Sequence, residues 1–124
     1  MKTLLLMMLF HIIDDFVFQP ICLSKLKQKS WWEKNIPKED INKYKYDYKA
    51  ALTMHSLSWA IMITLPWFII ASEIAIGLSV LINMIIHYNI DDLKANQRKI
   101  NLQTDQTIHI LQILITWIIM TFIV

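Results

Sequence analysis

The sequence predicts an all-α integral membrane protein, a four-helix bundle that forms a single transmembrane domain over residues 1–124. Two observations support this prediction. The chain is 56% hydrophobic with a mean hydropathy of +0.42, which is more apolar than a soluble domain of this size. Its apolar residues also collect in four long runs, each able to cross a hydrocarbon layer about 30 Å thick. The predicted helices cover residues 3–22, 50–72, 74–90 and 104–124.

The first apolar run is expected to persist as a helix. It contains Asp14 and Asp15, only one lysine precedes it, and no small-residue cleavage site follows it, so it lacks the pattern of a secretory signal. The single cysteine, Cys22, excludes an internal disulfide and a thiolate metal cluster.

The later helices carry local signals of their own. Pro66 predicts a kink or break in the outer half of the second helix. Thr104 is expected to be the N-cap of the fourth helix, with Asp105 in its favourable first turn. Because the chain has one glycine, it has no GxxxG motif, and close helix packing is expected at Ala, Ser and Thr positions. Asn83 and Gln112 are expected to form hydrogen bonds between helices.

The distribution of positive charge predicts the orientation. Of the twelve Lys and Arg residues, one precedes the first helix, eight lie between the first and second helices, and three lie between the third and fourth. Since positive residues favour the cytoplasmic side, both loops are expected in the cytoplasm and both termini outside. We therefore expect a multi-pass protein of the bacterial inner membrane.

The long basic loop, residues 23–49, interleaves its eight lysines with tryptophan and tyrosine. This mixture favours a segment at the headgroup level that is attracted to anionic lipid, so membrane lipid is the expected partner. A solvated loop without regular structure is the alternative. No nucleic-acid partner is expected, because nothing else in the sequence supports one. A homo-oligomer is compatible with the small core, although no motif indicates one.

The four histidines lie in or beside the apolar runs, one in each run. Three of them have an aspartate four residues away, on the same helix face. An aspartate at the centre of a membrane helix costs roughly 2.5 to 3.5 kcal/mol, so these faces are expected to meet in one polar pocket towards the cytoplasm. Asp14 and Asp92 lie off the polar faces and are secondary candidates. The pairs are His11 with Asp15, His87 with Asp91, and Asp105 with His109.

Imidazole nitrogen and carboxylate oxygen are ligands that Zn, Mn and Fe accept. The sequence therefore predicts a divalent-metal site. With one metal, each aspartate would orient its neighbouring histidine; with two, an aspartate would bridge and a bound water would be activated. Two alternatives stay open, namely His–Asp pairs that only stabilise the bundle and a proton or ion relay. The expected metal ligands are His11, Asp15, His55, His87, Asp91, Asp105 and His109.

Four motifs follow one another along almost the whole chain. They are H-x3-D-F-x-x-Q at His11 to Gln19, the second-helix His55, H-x3-D-x-x-K at His87 to Lys94, and D-Q-x-x-H at Asp105 to His109. In this order they resemble a family of small bacterial and phage multi-pass membrane proteins of unknown function. The resemblance implies a multi-pass membrane protein, encoded by a bacterium or a phage, without an assigned activity. The scattered His and Asp are more faintly similar to those of membrane-bound metal-dependent hydrolases.

These features together predict metal-dependent hydrolysis of a lipid or lipid-linked phosphate. The sequence shows no Ser-His-Asp or Cys-His nucleophile system, so a metal would have to activate water. The expected catalytic residues are Asp15, Asp91, Asp105 and Lys94, the last to neutralise a substrate phosphate. The alternative is a non-enzymatic, phage-encoded membrane interaction protein.

Overall fold

A computed structural model describes residues 1–19 and 21–124, and the regular structure in these ranges is helical throughout. A π-helical turn (Asp14–Phe18) follows the first helix and a 3-10 turn (Leu65–Trp67) follows the fourth. The all-α prediction is confirmed. The helices are α1 (Lys2–Ile13), α2 (Ile21–Leu26), α3 (Lys29–Asn35), α4 (Asp47–Thr64), α5 (Glu73–Ala95) and α6 (Leu102–Ile123).

The four longest helices pack against one another. Helix α4 lies between α1 and α5, and α6 contacts both α5 and α1. The short helix α2 packs on α4 and α3. Side chains from α1, α4, α5 and α6 can therefore meet in a common interior.

This interior is unusually polar. The described residues bury fourteen polar or charged side chains and nine apolar ones. Large apolar side chains such as Leu78, Ile82 and Ile115 are instead exposed. Extended apolar surface of this kind is typical of faces that contact lipid or another protein.

Two helices within the described residues, α5 and α6, are long and apolar enough to cross a membrane. In the most apolar 18-residue stretch of each helix, only 17% of α5 and 28% of α6 is buried. A core helix of a soluble domain would be mostly buried. This exposure fits the expected membrane location. Helix α1 ends after twelve residues, and α4 is not among the helices that are both long and apolar enough. Four membrane crossings and their orientation therefore stay predictions.

Helix bounds differ from the expected ones where proline intervenes. The predicted helix 3–22 is divided, because its helical course ends at Phe18 and Gln19 has φ −88° and ψ 88°, as expected for a residue that precedes proline. The predicted helix 50–72 ends early, at Thr64, because Pro66 lacks a backbone donor and clashes with the preceding turn. The predicted break at Pro66 is confirmed.

Helix α5 extends beyond the predicted bound at residue 90, and α6 has a different N-cap from the predicted one. Helix α5 continues to Ala95, so Asp91 and Lys94 are helical. The N-cap prediction for Thr104 is wrong. Asn101 is the N-cap of α6, and its side-chain oxygen accepts a hydrogen bond of 2.8 Å from the backbone N–H of Thr104.

The basic connection between α1 and α4 is partly ordered into helices. It contains α2 and α3, and the rings of Trp32 and Tyr44 stack with centroids 5.9 Å apart. The alternative of a loop without regular structure is therefore wrong for this segment. The expected contact with lipid stays a prediction.

Candidate metal centre

Asp91, near the C-terminal end of α5, is the hub of a buried cluster of charged and imidazole side chains. Its Oδ2 lies 2.5 Å from Lys27 Nζ and 3.5 Å from His55 Nε2. Its Oδ1 lies 3.5 Å from His109 Nε2 and 3.8 Å from His87 Nε2. Helices α4, α5 and α6 thus each bring one histidine to a single carboxylate.

Three imidazoles of the described chain face one another in this cluster. The Nε2 atoms of His55 and His87 are 3.2 Å apart. The rings of His87 and His109 stack with centroids 4.1 Å apart, and Trp59 stacks on His87 at 4.2 Å. All three histidines are at most 3% exposed, so their polar atoms depend on partners inside the protein.

Two overlapping sets of side chains could hold a metal ion. One comprises Asp15, His55 and His87, and the other comprises His87, Asp91 and His109. Within each set, the potential ligand atoms lie within 4.8 Å of one another. Because both sets include His87, they form one continuous cluster of nitrogen and oxygen donors, which is the type that Zn, Mn and Fe accept.

The hydrogen bonding of the cluster is incomplete. Among the described residues, Asp15 Oδ1, Asp105 Oδ1 and His109 Nε2 are buried and make no well-aligned hydrogen bond, although each lies within 3.5 Å of another member of the cluster. Such atoms are rare in native proteins, and an ion or an ordered water commonly satisfies them. The donor set therefore fits a bound cation.

The charges of the cluster fit a cation as well. Four buried carboxylates belong to it, whereas two ammonium groups of the described chain pair with them. The carboxylates therefore outnumber the ammonium groups by two, and because buried charge is strongly unfavourable without a partner, a bound cation or protonated imidazoles would have to balance the difference. The carboxylates are those of Asp14, Asp15, Asp91 and Asp105, and the ammonium groups are those of Lys27 and Lys94.

Asp14, a secondary candidate from the sequence, is a member of the cluster. Its Oδ2 lies 3.7 Å from His55 Nδ1, and its Oδ1 accepts a hydrogen bond of 2.5 Å from Ser58 Oγ. The π-helical turn that begins at Asp14 has a wider register than an α-helix, so both Asp14 and Asp15 face inward. A carboxylate on one imidazole nitrogen, with the other nitrogen towards the donors, is typical of metal centres.

His11 lies beside the two ligand sets. Its Nδ1 accepts a hydrogen bond of 2.8 Å from Trp59 Nε1, and an indole N–H can only donate. Its Nδ1 also lies 3.5 Å from Asp15 Oδ2. The role of His11 as a ligand stays a prediction, and the bond to Trp59 favours a supporting role instead.

Asp105 and Lys94 border the cluster. Asp105 Oδ1 lies 3.3 Å from His109 Nε2, and its Oδ2 is 2.5 Å from Lys94 Nζ. Asp91 Oδ1 is more distant from Lys94 Nζ, at 3.9 Å. Gln106 Nε2 donates at 3.2 Å to both Asp15 and Asp105. The Lys94 side chain is 29% exposed, so it lies at the rim of the cluster.

Lys27 is the cluster residue that sequence reasoning missed altogether. Its side chain is 4% exposed and paired with Asp91, although it belongs to the basic segment expected at the membrane surface. Lys25 and Lys29, its nearest basic neighbours, are exposed. No local sequence signal separates Lys27 from them.

A second polar cluster joins α5 and α6 one helical turn from His87. Gln112 Nε2 donates to Asn83 Oδ1 at 2.9 Å, and Thr116 Oγ1 donates to the same oxygen at 3.0 Å. These contacts confirm the hydrogen bonds expected for Asn83 and Gln112. They provide helix association that is separate from the candidate metal centre.

The fold and site define a helical protein with two helices able to span a membrane and a buried His/Asp cluster able to hold a metal ion. The chain belongs to the DUF3307 family, described as a protein of unknown function, whose family model matches residues 3–124. No curated protein and no solved structure matches the chain. Membership agrees with the resemblance to a family without an assigned activity.

Proposed function

We propose that the chain is a multi-pass membrane protein that binds a divalent metal ion in the His/Asp cluster. The observation that carries this proposal is the convergence of three buried imidazoles on Asp91, within a cluster that has two more carboxylates than ammonium groups. A divalent cation would satisfy the donor atoms that lack a well-aligned hydrogen bond and balance the charge together.

The geometry supports a division of roles among the cluster residues. Asp14 would orient His55 through its Nδ1, as carboxylates commonly do for ligating histidines. Asp105 instead contacts the His109 nitrogen, Nε2, that also faces Asp91. His11 would support the site through Trp59. The proposed ligands are Asp15, His55, His87, Asp91 and His109.

We further propose that α1, α4, α5 and α6 all cross the membrane, with both termini outside. The polar interior and the apolar exterior of these helices support this arrangement, and the distribution of lysine and arginine supports the orientation. The metal centre would then lie near the cytoplasmic face of the bacterial inner membrane.

Metal-assisted hydrolysis of a lipid or lipid-linked phosphate is the proposed reaction. A bound divalent ion supplies Lewis-acid chemistry and lowers the pKa of a bound water. Lys94, at the exposed rim, would bind the substrate phosphate through its ammonium group. Asp15 and Asp105 would accept the proton that the attacking water loses, because each has a buried oxygen that makes no well-aligned hydrogen bond.

Elemental analysis of the detergent-purified protein, prepared without chelators, tests the metal proposal. We expect about one metal ion per chain, with loss of the metal in His109→Gln. The matched control is His11→Gln, which changes a histidine in the same kind of environment and should retain the metal. Substoichiometric Zn, Mn and Fe, together with unchanged thermal stability in EDTA, would refute the proposal.

The hydrolysis step has its own test. The metal-loaded protein in vesicles should release phosphate from a lipid phosphate monoester, and Lys94→Met should lose this activity while retaining the metal. Equal activity of Lys94→Met and wild type would remove Lys94 from the mechanism. No release in either protein would contradict hydrolysis and leave metal binding intact.

A non-enzymatic membrane interaction protein is the second candidate. The observation that favours it is that Ser58, Trp59 and Lys94 already hydrogen-bond parts of the cluster, so the His–Asp contacts could serve the bundle alone. This candidate predicts the same melting temperature with and without EDTA.

A further inference from the structure

Lys27 brings an ammonium group into the candidate metal centre. Its Nζ lies 2.5 Å from Asp91 Oδ2, and the two side chains are 4% and 2% exposed. Lys27 follows α2 and lies in the short turn before α3. Since burying an unpaired ammonium is strongly unfavourable, the pairing with Asp91 accounts for this position.

The turn that carries Lys27 is attached to the end of α5. Asn96 Nδ2 donates a hydrogen bond of 3.1 Å to the carbonyl oxygen of Lys27. The backbone N–H of Lys29 donates to Asn96 Oδ1 at 2.7 Å. Asn96 thereby joins the basic segment to the same helix that carries Asp91, and this segment closes one side of the centre.

Asp91 Oδ2 is shared between Lys27 and the proposed ligands. The same oxygen lies 2.5 Å from Lys27 Nζ and 3.5 Å from His55 Nε2. The set of His87, Asp91 and His109 faces the other oxygen, Oδ1, of the same carboxylate, so a cation held there would share Asp91 with the ammonium. Like charges that share one carboxylate repel strongly in a buried site.

We propose that Lys27 is a built-in counter-ion that competes with the divalent cation for Asp91 and thereby sets the affinity of the metal centre. This inference rests on the proposed function. Binding of the cation weakens the Lys27–Asp91 pair, and the turn, then held to the end of α5 by the hydrogen bonds of Asn96, becomes more mobile. The centre then binds its metal less tightly than its donor set alone would allow.

Metal titration of purified variants tests the competition. Lys27→Met and Lys27→Gln should bind Zn²⁺ about tenfold more tightly than wild type, or better, because both remove the repelling charge. The glutamine variant keeps a hydrogen-bond donor for Asp91 and protects the test against misfolding of the methionine variant. Lys27→Arg, which retains the charge, and Lys25→Met, which changes an exposed lysine, should bind as wild type does.

The movement of the turn has a separate readout. Cys22 is the one cysteine of the sequence and is exposed on α2, so a spin label attached there reports on the segment. Adding Zn²⁺ should increase the mobility of the label in wild type. In Lys27→Met, which has no donor for Asp91, the mobility should already be high without metal.

Unchanged or weaker Zn²⁺ binding in both neutral variants would overturn the competition. Weakening by about tenfold to a hundredfold would instead identify Lys27 as a positioning residue for Asp91, with the proposed metal site intact. Absence of Zn²⁺ binding in wild type and in both neutral variants would overturn the metal site together with this inference.

Discussion

Replacing Asp91 by asparagine tests how strongly the buried cluster stabilises the fold. The substitution conserves size but removes the carboxylate that lies 2.5 Å from Lys27 Nζ. The ammonium of Lys27, on a side chain 4% exposed, then loses the carboxylate that contacts it directly. Removing one partner of a buried ion pair typically lowers the unfolding free energy by about 3 to 5 kcal/mol.

The magnitude for this site follows from its contacts. The asparagine amide oxygen can still accept a hydrogen bond from Lys27, so we expect a loss at the lower end, about 3 kcal/mol. The double variant Asp91→Asn, Lys27→Met removes both partners of the ion pair, so neither is left without the other. Its loss should be smaller than the sum of the single losses by about 2 to 3 kcal/mol.

The assay is equilibrium unfolding in mixed micelles of mild detergent and SDS, followed by helical circular dichroism, with a chelator present throughout. The chelator separates the ion pair from any effect of metal binding. Asp92→Asn is the matched control, because Asp92 is half-buried and contacts the neutral amides of Asn96 and Gln97. It should cost about 1 kcal/mol or less.

Two results would refute this reasoning. One is a loss below about 1 kcal/mol for Asp91→Asn, which is what an exposed ion pair would give. The other is additivity of the two single substitutions, which would mean that Lys27 and Asp91 do not stabilise each other.

Three further predictions concern other parts of the molecule. Trp59→Phe removes the hydrogen bond to His11 and should lower the unfolding free energy by about 1 to 2 kcal/mol in the micelle assay; Trp117→Phe, at a half-buried site, should cost less. Asn83→Ala removes the acceptor of Gln112 and should lower the unfolding free energy by about 1 kcal/mol without changing the Zn²⁺ affinity. A changed Zn²⁺ affinity would contradict the separation of the two polar clusters. An alkaline phosphatase fused to the C-terminus should be active, because the fusion would lie outside the cytoplasm, whereas an inactive fusion would reverse the proposed orientation.

Patterns of short range were predictable from the chain alone. The three His–Asp pairs four residues apart are in contact, at 3.5 Å for His11 with Asp15 and 3.3 Å for Asp105 with His109. An α-helix places residues four apart on one face whatever the rest of the fold does. The all-helical class and the polar faces therefore followed from local periodicity.

Contacts between distant segments required the folded chain. Lys27 and Asp91 are 64 positions apart, and no pattern around Lys27 distinguishes it from the exposed lysines beside it. The inward position of Asp14 depends on a π-helical turn, and the hydrogen bond from Trp59 to His11 depends on how α4 packs against α1. Periodicity predicts which face of a helix is polar, but only the packing of the helices determines which polar groups meet and which charges are left to be balanced.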